Sequence, residues 1–120
     1  MLRCKNPPED YLPSIGHLIW LCWDNGEPKR PYSGGFSPAF VLSAESCGAD
    51  VLLTALPVLG LGDKREGTIK IPYELYSEGY VLIREPITVQ CPRHYASLIE
   101  PMPEFFIEHI HYALDKMRNS

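Results

Sequence analysis

The sequence predicts a mainly β domain: a small barrel or strongly bent sheet of five to six short strands, closed by a single C-terminal helix. Three observations predict it. The chain has 120 residues, 45% hydrophobic and 22% charged, which is the size and composition of one globular domain around one core. Twelve prolines and nine glycines interrupt too many helical turns for a bundle of this length. The apolar segments are short and rich in β-branched and aromatic residues, and only the last repeats at helical spacing. A single domain is expected over residues 1–120.

Residues 1–13 hold Pro7, Pro8 and Pro13 among several charges and predict an extended arm. From Ile15 to Trp23 the run IGHLIWLCW is nearly unbroken in apolar character, as in a central strand covered on both faces. DNGEPKRPYSGGFSP follows, with three prolines and three glycines in 15 residues, and predicts a long loop with little room for helix or strand. Ala39 to Ala44 (AFVLSA) reads as the second strand, ESCGA as a turn, and Asp50 to Leu59 (DVLLTALPVL) as a third strand that Pro57 bends or ends. The polar GLGDKREG precedes GTIKIP, where Ile69 and Ile71 alternate with Thr68 and Lys70 as in a half-exposed strand. Residues 73–78 read as a short helical turn or loop. Gly79 to Cys91 (GYVLIREPITVQC) is one strand interrupted at Pro86 or two strands with a kink between them. In the last segment, Phe106, Ile110, Ala113, Leu114 and Met117 form one apolar stripe, so residues 103–118 form the C-terminal helix. Pro103 suits its first turn, Glu104 its positive end, and Lys116 and Arg118 its negative end.

The net charge of −4 argues against a surface built for sequence-independent binding of duplex nucleic acid and leaves room for a local basic groove. No apolar run is long enough to span a bilayer, and the N-terminal segment has no apolar stretch of signal-peptide length. The expectation is a cytoplasmic protein with no membrane partner. Cys4, Cys22, Cys47 and Cys91 are scattered without a Cys-x-x-Cys pair, so no metal site or redox motif is expected, and free thiols are favoured over two disulfides.

Set side by side, the first strand, the Pro/Gly-rich loop and the second strand, YLPSIGHLIWLCWDNGEPKRPYSGGFSPAFVLS, resemble the N-terminal half of the MazF/PemK family of toxins. Gly16, Ile19 and Trp20 fit that family's Gly-x-Ile/Leu-Trp strand, and Pro38, Val41, Leu42 and Ser43 fit the segment that re-enters the sheet after its long loop. A weaker likeness continues to the C-terminal helix. The resemblance implies an SH3-like barrel, shared with the gyrase poison CcdB, that acts as a homodimer and is neutralised by a cognate antitoxin whose disordered tail lies across the active groove. It also implies an endoribonuclease that cuts single-stranded RNA without metal or cofactor. The nucleophile is an internal 2′-hydroxyl, so the protein supplies proton transfer and a cation for the crowded phosphorane.

The chain departs from the family at the residues that do this. Where the family has a phosphate-binding arginine before the re-entrant proline, Ser37 precedes Pro38. Where a catalytic threonine or serine follows a Val-Pro-like pair, the stretch is ALPVL, which carries Pro57, with Thr54 nearby. Where the PemK branch has an Arg and an Asp two residues apart, the nearest equivalents are Leu82 and Arg84.

The remaining catalytic candidates are Arg30, Arg84, Glu85 and His94. Arg30 shares the long loop with Lys29 and is either a phosphate ligand or a solvated loop charge. Arg84 and Glu85 offer a cation and a proton acceptor if Pro86 bends the chain, since adjacent strand residues otherwise face opposite ways; the alternative is a surface salt bridge. His94, beside Arg93 in a loop, is either a general acid or base or a hydrogen-bonded structural histidine. His17 reads as a solvent-facing strand residue. His109 and His111 stand two apart on the helix, which does not suit a metal pair.

For RNA binding the candidates are Lys29, Lys64 and Arg65 along the backbone, with Tyr32 and Phe36 stacking on unpaired bases. For the two aromatics the alternative is loop packing on Trp20 or Trp23. Two functions compete: an RNA-cleaving toxin, and a MazF-like barrel that has lost cleavage and binds an antitoxin-like peptide or nucleic acid.

Overall fold

The structure, a computed structural model, describes residues 12–24, 27–28, 36–60, 62, 66–72, 79–84 and 86–118, with 22–24, 27–28, 36–37 and 94 described by their backbone alone. The elements are β1 (His17–Asp24), β2 (Glu27–Pro28), β3 (Phe36–Cys47), β4 (Asp50–Leu59), β5 (Thr68–Lys70), β6 (Tyr80–Leu82), β7 (Ile87–Pro92), β8 (Ala96–Pro101) and α1 (Glu104–Arg118). A 3-10 turn, Arg93–Tyr95, carries the chain from β7 to β8. No described helix is long and apolar enough to cross a membrane.

All the pairings are antiparallel, and β3 lies between β1 and β4. On its other edge β1 holds β8 along His17–Leu21 and β2 at Trp23 and Asp24. The other edge of β4 holds β7 along Asp50–Ala55 and β6 at Val58 and Leu59, and β5 extends β6. The ribbon β8–β1–β3–β4–β7 is therefore joined end to end by the 3-10 turn, and β2 lies against β7. The sheet is bent toward a barrel, as its short, proline-punctuated strands predict.

The predicted class and the C-terminal helix stand, while the strands of the described residues exceed five to six. Pro86 separates β6 from β7, so Gly79 to Cys91 yields two strands. Within the long loop, where little room for strand was expected, Glu27 and Pro28 pair with β1. The strand β8 has no clean alternation in ASLIEP and is held by its ladder to β1. Pro57 does not end β4. It stands where the outer neighbour changes, between Ala55 opposite Ile87 and Val58 opposite Val81, the place on a strand that tolerates a missing N–H.

Both faces of the central strands are covered, because alternate residues enter different clusters. Ile19, Leu21, Ala39, Val41, Leu53 and Ala55 fill the barrel interior. Leu18, Phe40 and Leu56 face the other way and meet Phe106, Ile110 and Leu114 of α1. Phe106 sets its edge against the face of Phe40, ring centres 6.0 Å apart at 89°, a favoured aromatic geometry. Trp20 departs from the expectation of a fully covered strand. It is 43% exposed, standing between Pro38 and Ser97 across the ladders, whose small side chains leave the indole open.

Gly16 ties these layers together. Its φ is 88°, and a Cβ there would run into the Ile107 side chain. Its N–H donates to the Val41 carbonyl at 3.0 Å, and its carbonyl accepts from Met102 N–H at 2.9 Å. The start of β1 is thus fixed to β3 and to the approach of α1.

Candidate functional site

The ladder places the two positions at which the family chemistry is expected close together. Ser37 pairs with Leu21, and two residues further along β3 Ala39 pairs with Pro57 of β4. Positions 37 and 57 are diagonal neighbours on adjacent strands, within reach of long side chains. The residues there are serine and proline, so position 37 offers no guanidinium and position 57 no hydroxyl. Ala39 is buried in the barrel interior, and Pro57 opposite it shares that face.

Arg84 follows β6, and its guanidinium pairs with Glu66. Nη1 lies 3.7 Å from Glu66 Oε1, both side chains being largely exposed. The contact is made possible by Gly67, whose φ of 82° and missing Cβ leave room for the aliphatic stem of Arg84. Ile83 N–H also donates to the Gly67 carbonyl at 2.9 Å. The surface salt bridge expected as the alternative for Arg84 is present, with Glu66 as its partner. Glu85 lies outside the described residues, and Leu82 is buried.

His94 lies in the 3-10 turn at the other end of β4. Arg93 N–H donates to the Ala49 carbonyl at 3.3 Å and its Nη2 to Ser46 Oγ at 3.4 Å, which places the turn at the β3–β4 hairpin. Arg84 stands in the link between Val81, opposite Val58, and Ile87, opposite Ala55. At about 3.3 Å per residue, the backbones of Arg84 and His94 are separated by most of the length of β4 and do not share a site within one chain. Phe36 begins β3 opposite Cys22. Lys29, Arg30, Tyr32, Lys64 and Arg65 lie outside the described residues.

Two further groups are clear. His17 is half-buried instead of facing solvent, and burial lowers its pKa below 6.5. Its Nδ1 accepts the Ser14 N–H at 3.3 Å, which suits the neutral imidazole. Cys91 is buried and free. Burial first, then the charge of Asp50, pushes its thiol up to about 11, far from the thiolate a nucleophile needs.

Sequence reasoning missed a polar pair. Thr54 and Thr88 stand opposite each other on β4 and β7, their hydroxyl oxygens 3.1 Å apart. Each lies in an alternating strand, and only the register brings them together. Thr54 floors a cavity of about 230 Å³ with Leu42 and Ile83, walled by Leu114 and Met117 of α1 and ending at Arg118. A more open cleft of about 530 Å³ shares Ile83 and Met117 and reaches Arg84 and Glu66. This groove is on the α1 side of the sheet, opposite the face of Pro57.

No protein-family model matches the chain, and no curated protein sequence matches it. Solved structures do. The MazE-MazF structure (Form-II) from Deinococcus radiodurans matches with a TM-score of 0.69 and 24% identity over 90% of this chain and 96% of that one. MazF (Form-I) from the same organism matches with a TM-score of 0.65 and 22% identity over 92% of this chain and 100% of that one. At 90% and 92% of this chain, the likeness is not confined to the N-terminal half. Across nine-tenths of its length, this chain has the MazF fold.

Proposed function

We propose that this chain is the toxin of a toxin–antitoxin pair that cuts single-stranded RNA without a metal, acting in the cytoplasm as a homodimer held inactive by an antitoxin. The observation that carries this reading is the MazF fold, found in both MazF and MazE-MazF structures, on a chain whose Gly16, Ile19, Trp20 and Pro38 fit the family's motif. With Ser37 and Pro57 at the expected positions, the cation for the phosphorane comes from another residue of the chain. Arg30, in the loop between β1 and β3, is the residue assigned that role. Its charge is permanent and its fork suits a phosphate. Purified protein incubated with single-stranded RNA and EDTA should yield specific fragments with cyclic phosphate ends. Intact RNA at high protein concentration would remove this reading.

A second reading has its own observation in favour. The family positions hold Ser37 and Pro57, and Arg84 is engaged by Glu66, so the barrel retains the frame while the reactive groups are absent or occupied. On that reading the chain binds an antitoxin-like peptide, or regulates an active partner, and does not cleave RNA. Loss of cleavage in Arg30→Ala with the fold intact would exclude it.

A further inference from the structure

We propose that His17 is a pH-sensitive latch at the entry to the barrel: the neutral imidazole holds Ser14, and its protonation releases Leu12 and Pro13 from their seats. The latch does not depend on RNA cleavage.

The geometry is a closed turn. Ser14 N–H donates to His17 Nδ1 at 3.3 Å, and His17 N–H donates back to the Ser14 carbonyl at 3.0 Å. After the turn the chain is fixed by backbone bonds, since Gly16 N–H bonds the Val41 carbonyl at 3.0 Å and the Gly16 carbonyl takes Met102 N–H at 2.9 Å. Before the turn it is held by packing. Pro13 is fully buried, and Leu12, like Ala44 and Tyr95, packs half-buried against the interior cluster. Proline has no N–H, so the Ser14 amide is the first backbone donor after it. Its acceptor is the His17 ring.

A ring nitrogen accepts a hydrogen bond only while it carries no proton. Protonation of Nδ1 sets two donors against each other, which costs the bond to Ser14 and places a charge in a half-buried site. The titratable groups on neighbouring elements are Glu100 of β8, beside the Pro101 that pairs with His17, and Glu104, Glu108 and His111 of α1. The last three flank Ile107, which meets Gly16. From β3, the uncharged Val41 holds Gly16. The three carboxylates favour the imidazolium and a charged His111 opposes it. Burial outweighs the carboxylates, because the pKa of His17 lies below 6.5. Once released, the ring returns toward 6.5. Acid therefore favours the released form, from 6.5 down to the pKa of the latched ring.

Methyl and amide NMR spectra of the full chain, followed from about pH 8 to about pH 5, test this. The Leu12 methyls and the Ser14 amide should move together with the His17 ring at a midpoint below 6.5. The Ile110 and Leu114 methyls, buried under the helix, should hold still. Across this range the fraction of chains with Leu12 released should rise about threefold or more, the scale of losing one hydrogen bond. His17→Gln, whose side-chain oxygen accepts the Ser14 N–H without titrating, should keep Leu12 seated throughout. His17→Lys, charged over the whole range, should give the released spectrum from the start. The Ile110 methyl signals establish that each variant is folded.

Titration of His17 with Leu12 and Ser14 unmoved would overturn the proposal. So would the same acid movement in His17→Gln, or a seated Leu12 in folded His17→Lys. Loss of the Ile110 and Leu114 signals together with those of Leu12 would also overturn it, since the change would then be global unfolding and not a local release.

Discussion

Gly16 shows how a single residue can be legible in a sequence for a reason the sequence does not contain. It stands out as the first residue of a Gly-x-Ile/Leu-Trp-like strand, yet what requires glycine is a φ of 88° and the Ile107 side chain, brought from the far end of the chain by α1. Gly16→Ala should therefore destabilise the protein by about 1–3 kcal/mol, read as a lower urea midpoint. Gly48→Ala, which has no atom near its added Cβ, should do less damage.

His17 gives a prediction about pH. Its folded pKa is lowered from 6.5 by burial, so the unfolded chain takes up the proton first as pH falls. Above pH 6.5 both states hold a neutral imidazole and this group adds no slope. Below it, stability should fall until the folded imidazole is itself protonated. His17→Gln should flatten that part of a curve of melting temperature against pH. Among the described residues, the free thiols of Cys47 and Cys91 differ in the same local way. Site-resolved alkylation at neutral pH should label exposed Cys47 and spare buried Cys91, whose thiol is held up to about 11, until the protein is unfolded.

At the level of elements, strong periodicity was readable and pairing was not. The stripe from Phe106 to Met117 fixed the helix to within a residue of Glu104–Arg118, because a helical face depends only on nearby residues. Likewise the third strand was read at its observed bounds, Asp50–Leu59. By contrast β8 and β2 are strands only because β1 offers them an edge, and Thr54 meets Thr88 only through the β4–β7 register. These long-range facts have no local signal. The same contrast sets the expected energetics of α1. Phe106→Ala removes a ring that is 2% exposed and set against Phe40, and should cost about 3–5 kcal/mol. Phe105→Ala, one residue earlier and 58% exposed, should change stability by about 0.5 kcal/mol or less. Denaturant unfolding of both variants checks the assigned face of the helix.

For the whole molecule, the fold and the chemistry separate. The fold agrees with MazF structures over about nine-tenths of the chain at 21–24% identity, since a barrel of this kind depends on patterning that many sequences satisfy. Catalysis depends on a few groups at fixed places, and the positions at which they are expected, 37 on β3 and 57 on β4, lie diagonal across the Ala39–Pro57 pairing. Two variants distinguish a relocated active site from a lost one. If Arg30 supplies the cation, Arg30→Ala should reduce RNA cleavage by about a hundredfold or more, the scale of losing one preorganised electrostatic group, while Ser37→Arg with Pro57→Thr should add little to a centre that already works. If the barrel has lost its chemistry, Arg30→Ala changes nothing, and the double substitution, which returns a guanidinium and a hydroxyl to adjacent strands, should create cleavage where there was none. Cleavage rates of the three proteins on one single-stranded RNA, measured with EDTA present, decide between them, because each reading predicts an effect in the variant that the other leaves silent.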